Sequence, residues 1–305
     1  MGASIKPVEA GETHSFDGTR LSFEVYGRGE RTILCCNGIA CTAHAYWEPI
    51  VDALAGDARV ILWDYRGHGR SGPPENSAEV IIPSFARDAI AVLEATDASS
   101  AALIGHSMGV QVILEIFRAF PEAAEALIAV AGPYERPLGS TYGLPIGRFS
   151  LPFLEFATEY LHDPLEAIWH AGFRTDLPYL IARAGFMVGP NASRDAMRNY
   201  FKGLGDLDIA MLVRMFRAMD MHSAADVLPS VDIPTLIVAG GIDVLTPPWI
   251  ARRMAAAIKD ADLLVIPSAG HALPIEAPEE LNGEVTRFLA ERVWTAQREA
   301  GTKSR

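Results

Sequence analysis

The chain has 305 residues, half of them hydrophobic, enough for a large buried core in one large domain or two smaller ones. Its net charge of -12 argues against nucleic acid as a partner, because a phosphate-binding surface needs clustered Lys and Arg. The 3 cysteines, Cys35, Cys36 and Cys41, crowd into one stretch without a CxxC pair or a His/Cys spacing, which argues against a disulfide framework and against a metal centre.

The first residues, MGASIKPVEAGETHS, lack the apolar centre of a signal peptide, and no apolar run reaches the length of a membrane span. A soluble cytoplasmic protein is expected. THSFDG and TRLSFEVYG alternate and turn like an antiparallel hairpin at a sheet edge. TILCCNG reads as a strand ending in a turn, with Cys35 and Cys36 as small hydrophobes on its two faces. AYWEPIVDALAG follows as a helix with a glycine stop. Val60 to Trp63 form a strand that runs into the glycine-rich loop DYRGHGRSG, and SFARDAIAVLEATD is an amphipathic helix. Next come the strand AALIG, a helix from Met108 and the strand EALIAVAGP. Near the end, TLIVAGGID, a helix from Pro247 to Ile258, DLLVIPSAGH and a helix from Glu279 complete the pattern. Unbroken apolar runs alternating with helices predict an α/β fold, a mostly parallel central sheet covered on both faces.

The alternation stops between Tyr134 and about Pro229. This stretch shows no strand pattern and is punctuated by prolines at 137, 145, 152, 164, 178 and 190, with helical segments between them. It is predicted to be a helical insertion, a cap over residues 134–228, between two parts of one core, 1–133 and 229–305. In LDIAMLVRMFRAMDM, Met211, Met215 and Met219 recur four apart on one helix face. Such a stripe serves either as core packing or as a pliable apolar pocket wall.

Chemistry enters at ALIGHSMGVQVILEIF, where Ser107 stands between a strand and a helix with Gly105 and Gly109 two places away on each side. A turn that tight drives the serine toward a positive φ and crowds its neighbours, so they must be small. The following helix points its N-terminal N–H groups at the same place. The plain alternative is a serine that caps the helix. A serine hydroxyl needs a base. His271, in VIPSAGHALPIE, follows the last strand, and Asp243, in VAGGIDVLTPP, ends the strand before it. All three fall at the carboxyl edge of the sheet, in the order Ser, Asp, His. Glu135, just past the strand ending at Val130, is a rival acid.

GHSMG, WDYRGHGRSG, IPTLIVAGGIDVLTP and GHALPIEAPEELNGEVTRFL together resemble the α/β-hydrolase family over nearly the whole chain. The resemblance implies an oxyanion hole from the N–H of Met108 and from the loop after an early strand, where Ile39 takes the donor position. In CCNGIACTAHAYW this chain has Asn37 where the family commonly has histidine, and Asn37 is expected to fix the loop through side-chain hydrogen bonds. Asp64, Arg66 and His68 belong to a family-typical loop with a structural role, and His106 is expected to pack beneath the elbow. Cys41 and His44 lie near the oxyanion loop, Tyr46 and Trp47 are candidate pocket-lining residues, with Trp47 fitting equally well as a helix-packing residue, and Met211 and Met215 are candidate substrate-lining residues.

These readings define a serine hydrolase of small to medium apolar carboxylic esters, working through an acyl-enzyme without cofactor or metal, as a monomer or homodimer with a small-molecule substrate and no membrane partner. Alternatives are a C–C bond hydrolase of vinylogous diketones, a lactonase, a thioesterase, or a slow-turnover ligand receptor on the same scaffold. The apolar residues of the cap, among them Phe149, Phe153, Phe156, Trp169, Phe173, Phe186 and Phe216, are expected to enclose an apolar pocket.

Overall fold

The unbroken apolar runs become eight strands of one sheet, in the order β1-β2-β4-β3-β5-β6-β7-β8. They are β1 Glu9–His14, β2 Arg20–Tyr26, β3 Arg31–Cys36, β4 Ala58–Trp63, β5 Ala101–His106, β6 Ala124–Val130, β7 Thr235–Gly240 and β8 Ala261–Ile266. β2 runs antiparallel to β1 and β4, and the pairs from β4 to β8 are parallel. The computed structural model describes residues 5–295 apart from 40–42, 140–145, 186, 191 and 193. Cys41 and Phe186, and the side chains of His44 and Phe149, lie outside the described residues.

Strand alternation divides the core into two layers. On β4, Ile61 and Trp63 face one layer while Val60 and Leu62 face the other. The first layer is closed by α2 (Ile82–Ala95), α3 (Met108–Ala119) and α9 (Pro248–Ala257), the second by α1 (Ala43–Leu54) and α11 (Pro278–Phe288). On α3, Val110, Ile113 and Ile116 are all fully buried, each worth about 1.5–3 kcal/mol of transfer from water. This packing fixes the helix whose first residue follows Ser107.

One boundary shifts from expectation. THSFDG supplies the end of β1 and the turn rather than a whole strand. Asp17 Oδ1 accepts the N–H of Thr19 at 3.1 Å, and Gly18 takes φ 87°. β1 begins earlier, at Glu9, in an exposed segment with no apolar alternation to announce it.

Among the described residues, five α-helices lie between β6 and β7: α4 (Ile146–Tyr160), α5 (His162–Phe173), α6 (Leu177–Ala184), α7 (Arg194–Asp206) and α8 (Ile209–Met221). Among the described residues of this stretch, the one β feature is an isolated bridge between Glu135 and Ser223. Asp208 caps α8, its Oδ1 accepting the N–H of Met211 at 2.7 Å. Met211, Met215 and Met219 are buried together in the cluster that holds Met108 and Tyr134. Phe153 and Phe156 correct the expected pocket lining: they are 70% and 58% exposed, because α4 turns Leu151, Ala157 and Thr158 inward instead.

Candidate active site

Ser107 sits at φ 53°, ψ -118°, between the end of β5 and the start of α3. A non-glycine residue held there costs about 1–3 kcal/mol of backbone strain. The surroundings enforce it. The Ser107 N–H donates to Val130 O on β6 at 3.0 Å. A Cβ on Gly105 would lie 2.4 Å from Gly109 O, and one on Gly109 would lie 2.2 Å from Cys36 O, so both flanking positions are confined to glycine. The Ser107 side chain makes no cap hydrogen bond to α3, which disposes of the capping alternative.

The Ser107 hydroxyl lies 2.9 Å from His271 Nε2. On the other side of the ring, Nδ1 lies 2.9 Å from Asp243 Oδ2. Asp243 is held in turn: its Oδ1 accepts the N–H groups of Leu245 and Thr246 at 2.8 and 2.9 Å, and its Oδ2 accepts the Thr246 hydroxyl at 2.6 Å. Burial pushes the Asp243 carboxyl up, but the neighbouring His271 and the Thr246 donors outweigh it and hold the group below the ordinary carboxylate range. An anionic Asp243 orients Nδ1–H toward itself and leaves Nε2 as the acceptor facing Ser107. The residues with one sequence-predicted role thus meet in one chain of contacts. Glu135 does not join them. It bridges to Ser223, whose hydroxyl lies 3.4 Å from its carboxylate.

Beneath the elbow, His106 is 2% exposed, with Nε2 2.9 Å from both the Tyr46 hydroxyl and His271 O. Burial, then the adjacent His271, pushes it down to about 3, so it is neutral at working pH. As an Nε2–H tautomer it donates to the His271 carbonyl. Its buried Nδ1 then stands as a bare acceptor, close to Gly38.

Asn37 fixes the β3–α1 loop from its two amide ends. Nδ2 donates to Trp63 O at 2.8 Å and Oδ1 accepts the Trp47 indole N–H at 2.6 Å, while Tyr65 donates to Asn37 O at 2.9 Å. The loop then passes against Ser107: a Cβ on Gly38 would lie 3.2 Å from Ser107 Cβ. Ile39 follows at once, and Met108 opens α3, where first-turn N–H groups have no acceptor within the helix. Trp47 is a correction. It is fully buried in the second core layer and orders Asn37, offering no open face to a substrate. Met211 reaches the β4–α2 loop, where a Cβ on Gly67 would come within 2.3 Å of its Cε, and Met215 is fully buried. Arg66 bonds Asp88 at 2.6 and 2.7 Å and Asp17 at 2.9 Å, Asp64 accepts the Arg70 N–H at 3.0 Å, and His68 Nδ1 lies 3.0 Å from Arg66 O. All three knit the loop to its neighbours.

Two contributors escaped the sequence reading, Thr246 and Glu276. The Asp-x-x-Thr spacing, a side chain bonding the backbone just ahead of it, was the available signal for Thr246. Among the described residues, His162, Glu166 and Asp208 bring ligand atoms within 4.8 Å of one another, as a metal site would. Each has hydrogen-bond partners, His162 Nε2 with Asp208 and Glu166 with His170, both at 2.9 Å, so the group stitches α5 to the start of α8. Two clefts of about 520 and 420 Å³ open on α5–α7 and beside α8, and neither is lined by Ser107, Asp243 or His271. Ser107 and His271 are each only 9% exposed.

The sequence profile of the Alpha/beta hydrolase family matches residues 33–284, and the chain belongs to that family: it is an enzyme of the hydrolase class. Among its relatives are two proteins named "Putative carbamate hydrolase RutD". The one from Rhizobium rhizogenes is 27% identical over 285 residues, spanning 89% of this chain and 98% of its own. The one from Variovorax paradoxus is 28% identical over 276 residues, spanning 88% and 96%. The fold is shared with the esterase EaEST from Exiguobacterium antarcticum, at TM-score 0.76, 18% identity and coverage of 93% of this chain and 100% of that one. Among the described residues, no helix is long and apolar enough to cross a membrane.

Proposed function

We propose that this enzyme is a serine hydrolase of carboxylic esters, with Ser107 as nucleophile, His271 as base and Asp243 as the acid that orients it. The observation that carries the reading is the pair of 2.9 Å contacts that joins the strained Ser107 to His271 and His271 to Asp243. Ser107 Oγ attacks the ester carbonyl as its proton passes to His271 Nε2. The N–H groups of Ile39 and Met108 hold the oxyanion, each such donor being worth about 3 kcal/mol. His271 protonates the departing alkoxide, then draws a proton from water, which opens the acyl-enzyme and returns Ser107. The inserted helices act as a cap that favours small to medium apolar acyl groups.

A carbamate is the second reading. The same attack serves its carbonyl, and the RutD proteins carry that word in their name. The test is multiple-turnover kinetics on aryl esters from acetyl to palmitoyl, lactones, thioesters, a vinylogous diketone and carbamates. Fast repeated turnover of short and medium esters is expected. Turnover confined to another class would replace the ester reading, and binding without turnover would favour a receptor.

A further inference from the structure

Glu276, the last residue of α10 (Leu273–Glu276), is 5% exposed, and among the described residues no Lys, Arg or His forms an ion pair with it. Its charge is met by three backbone donors. Oε2 accepts the N–H of Gly270 at 2.7 Å and of Gly189 at 2.9 Å, and Oε1 accepts the N–H of Ala272 at 3.1 Å. Gly270 and Ala272 are the residues on either side of His271. The N–H of His271 itself donates to Met187 O at 3.2 Å, and its carbonyl faces His106 Nε2 at 2.9 Å. The backbone of 270–272 is therefore pinned at four points, one of them directly by Met187 of the inserted stretch, and Gly189 of the same stretch holds the Glu276 carboxylate that makes two of the others. The sequence leaves room for this arrangement. A Cβ on Gly189 would lie 2.2 Å from Glu276 Oε2, and one on Gly270 would lie 3.0 Å from Oε1.

We infer that Glu276 is a positioning residue: it clamps the His271 backbone so that Nε2 meets Ser107, and through Gly189 it ties that alignment to the inserted helices. The inference rests on the reading of His271 as the base. A carboxylate suits the task because three N–H donors need acceptor lone pairs on both oxygens, and charge-assisted bonds to backbone N–H are the stronger kind. An amide cannot replace it. Glutamine has one acceptor oxygen, and its NH2 group would face at least one of the three donors. The expected consequence is a tilt of the imidazole, and misplacement of a reacting group by about 1 Å costs on the order of 10²-fold in rate.

The test uses the full chain and compares Glu276→Gln, Gly189→Ala and His271→Gln with the parent on an aryl acetate. Gly189→Ala keeps the carboxylate but drives a methyl into it. Active sites are counted by labelling to completion with an organophosphonate, so that unfolded protein is not scored as slow enzyme. The expected result for Glu276→Gln and Gly189→Ala is a kcat per active site lower by roughly 10-fold to 100-fold with KM little changed. Parental kcat per active site in both would overturn the inference, even if thermal stability fell, because that pattern marks a purely structural group. If Glu276→Gln does not fold, Gly189→Ala decides alone by the same criterion. Loss of activity in His271→Gln with parental kcat in the other two overturns only the positioning role. Retained activity in His271→Gln overturns the base assignment itself.

Discussion

At the scale of single residues, the site holds two buried groups, one whose charge is kept against burial and one whose neutrality burial enforces. Asp243 is kept anionic by His271 and Thr246 despite its burial. Replacing it with asparagine keeps the shape but favours the wrong histidine tautomer. Asp243→Asn should therefore fold normally and lose up to about 10⁴-fold in kcat. Glu135→Gln, which alters a carboxylate engaged with Ser223, should leave kcat nearly unchanged. Steady-state kinetics on the two variants checks both, and reversed results would move the acid to Glu135. His106 is the opposite case, a base kept neutral, pushed down to about 3. Between that value and the ordinary histidine value of about 6.5, the unfolded chain binds one proton more than the native one. His106 thus withdraws stability as pH falls, by about 1.4 kcal/mol per pH unit. Asp243 works in another window: with its native value lowered, its stabilisation is present above the ordinary carboxylate range and is lost only below it. Urea unfolding at pH 6.0 and 4.5 should show the parent losing about 2 kcal/mol more than His106→Gln over that interval. Parallel losses would mean that His106 titrates normally.

At the scale of elements, α8 brings the methionine stripe against the core cluster and the β4–α2 loop. Truncating Met211 or Met215 to alanine should cost about 2–5 kcal/mol of stability, as for other buried large-to-small changes. The space opened in the cluster that also holds Met108 should shift the preferred acyl length upward, by roughly 0.8 kcal/mol in kcat/KM for each methylene newly accommodated. The comparison is kcat/KM from acetyl to palmitoyl esters, and an unchanged profile with lowered stability would assign the stripe to packing alone. Much of this architecture was legible because parallel strands buried on both faces must be written as continuous apolar runs, and because catalytic side chains at strand ends stand next to those runs. Ser107, Asp243 and His271 could be placed on one edge for that reason. What was not legible depended on tertiary contacts. β1 is an exposed edge strand without apolar alternation, so its start gave no signal. Phe153 and Phe156 were counted as apolar, but composition does not say which side of α4 faces water. Glu276 reads as one more acid in a helical stretch until Gly189, 87 residues away, is brought to it by the fold.

At the scale of the whole molecule, the inserted helices and the sheet are joined at the site itself. His271 N–H meets Met187 O, Gln111 Nε2 on α3 meets Met219 O at 2.9 Å, and the buried pair of Glu115 and His222 spans α3 and the residue after α8 at 3.0 Å. The inserted stretch and the core therefore share hydrogen bonds at His271 and along α3. The proposed function requires this assembly to activate one serine. It is tested most directly by treating the native chain with an organophosphonate and following adduct mass, modified peptide and ester turnover together. One adduct per chain is expected, located on Ser107, with turnover falling in proportion to labelling. An adduct on another residue, no adduct, or turnover that survives complete labelling of Ser107 would contradict it.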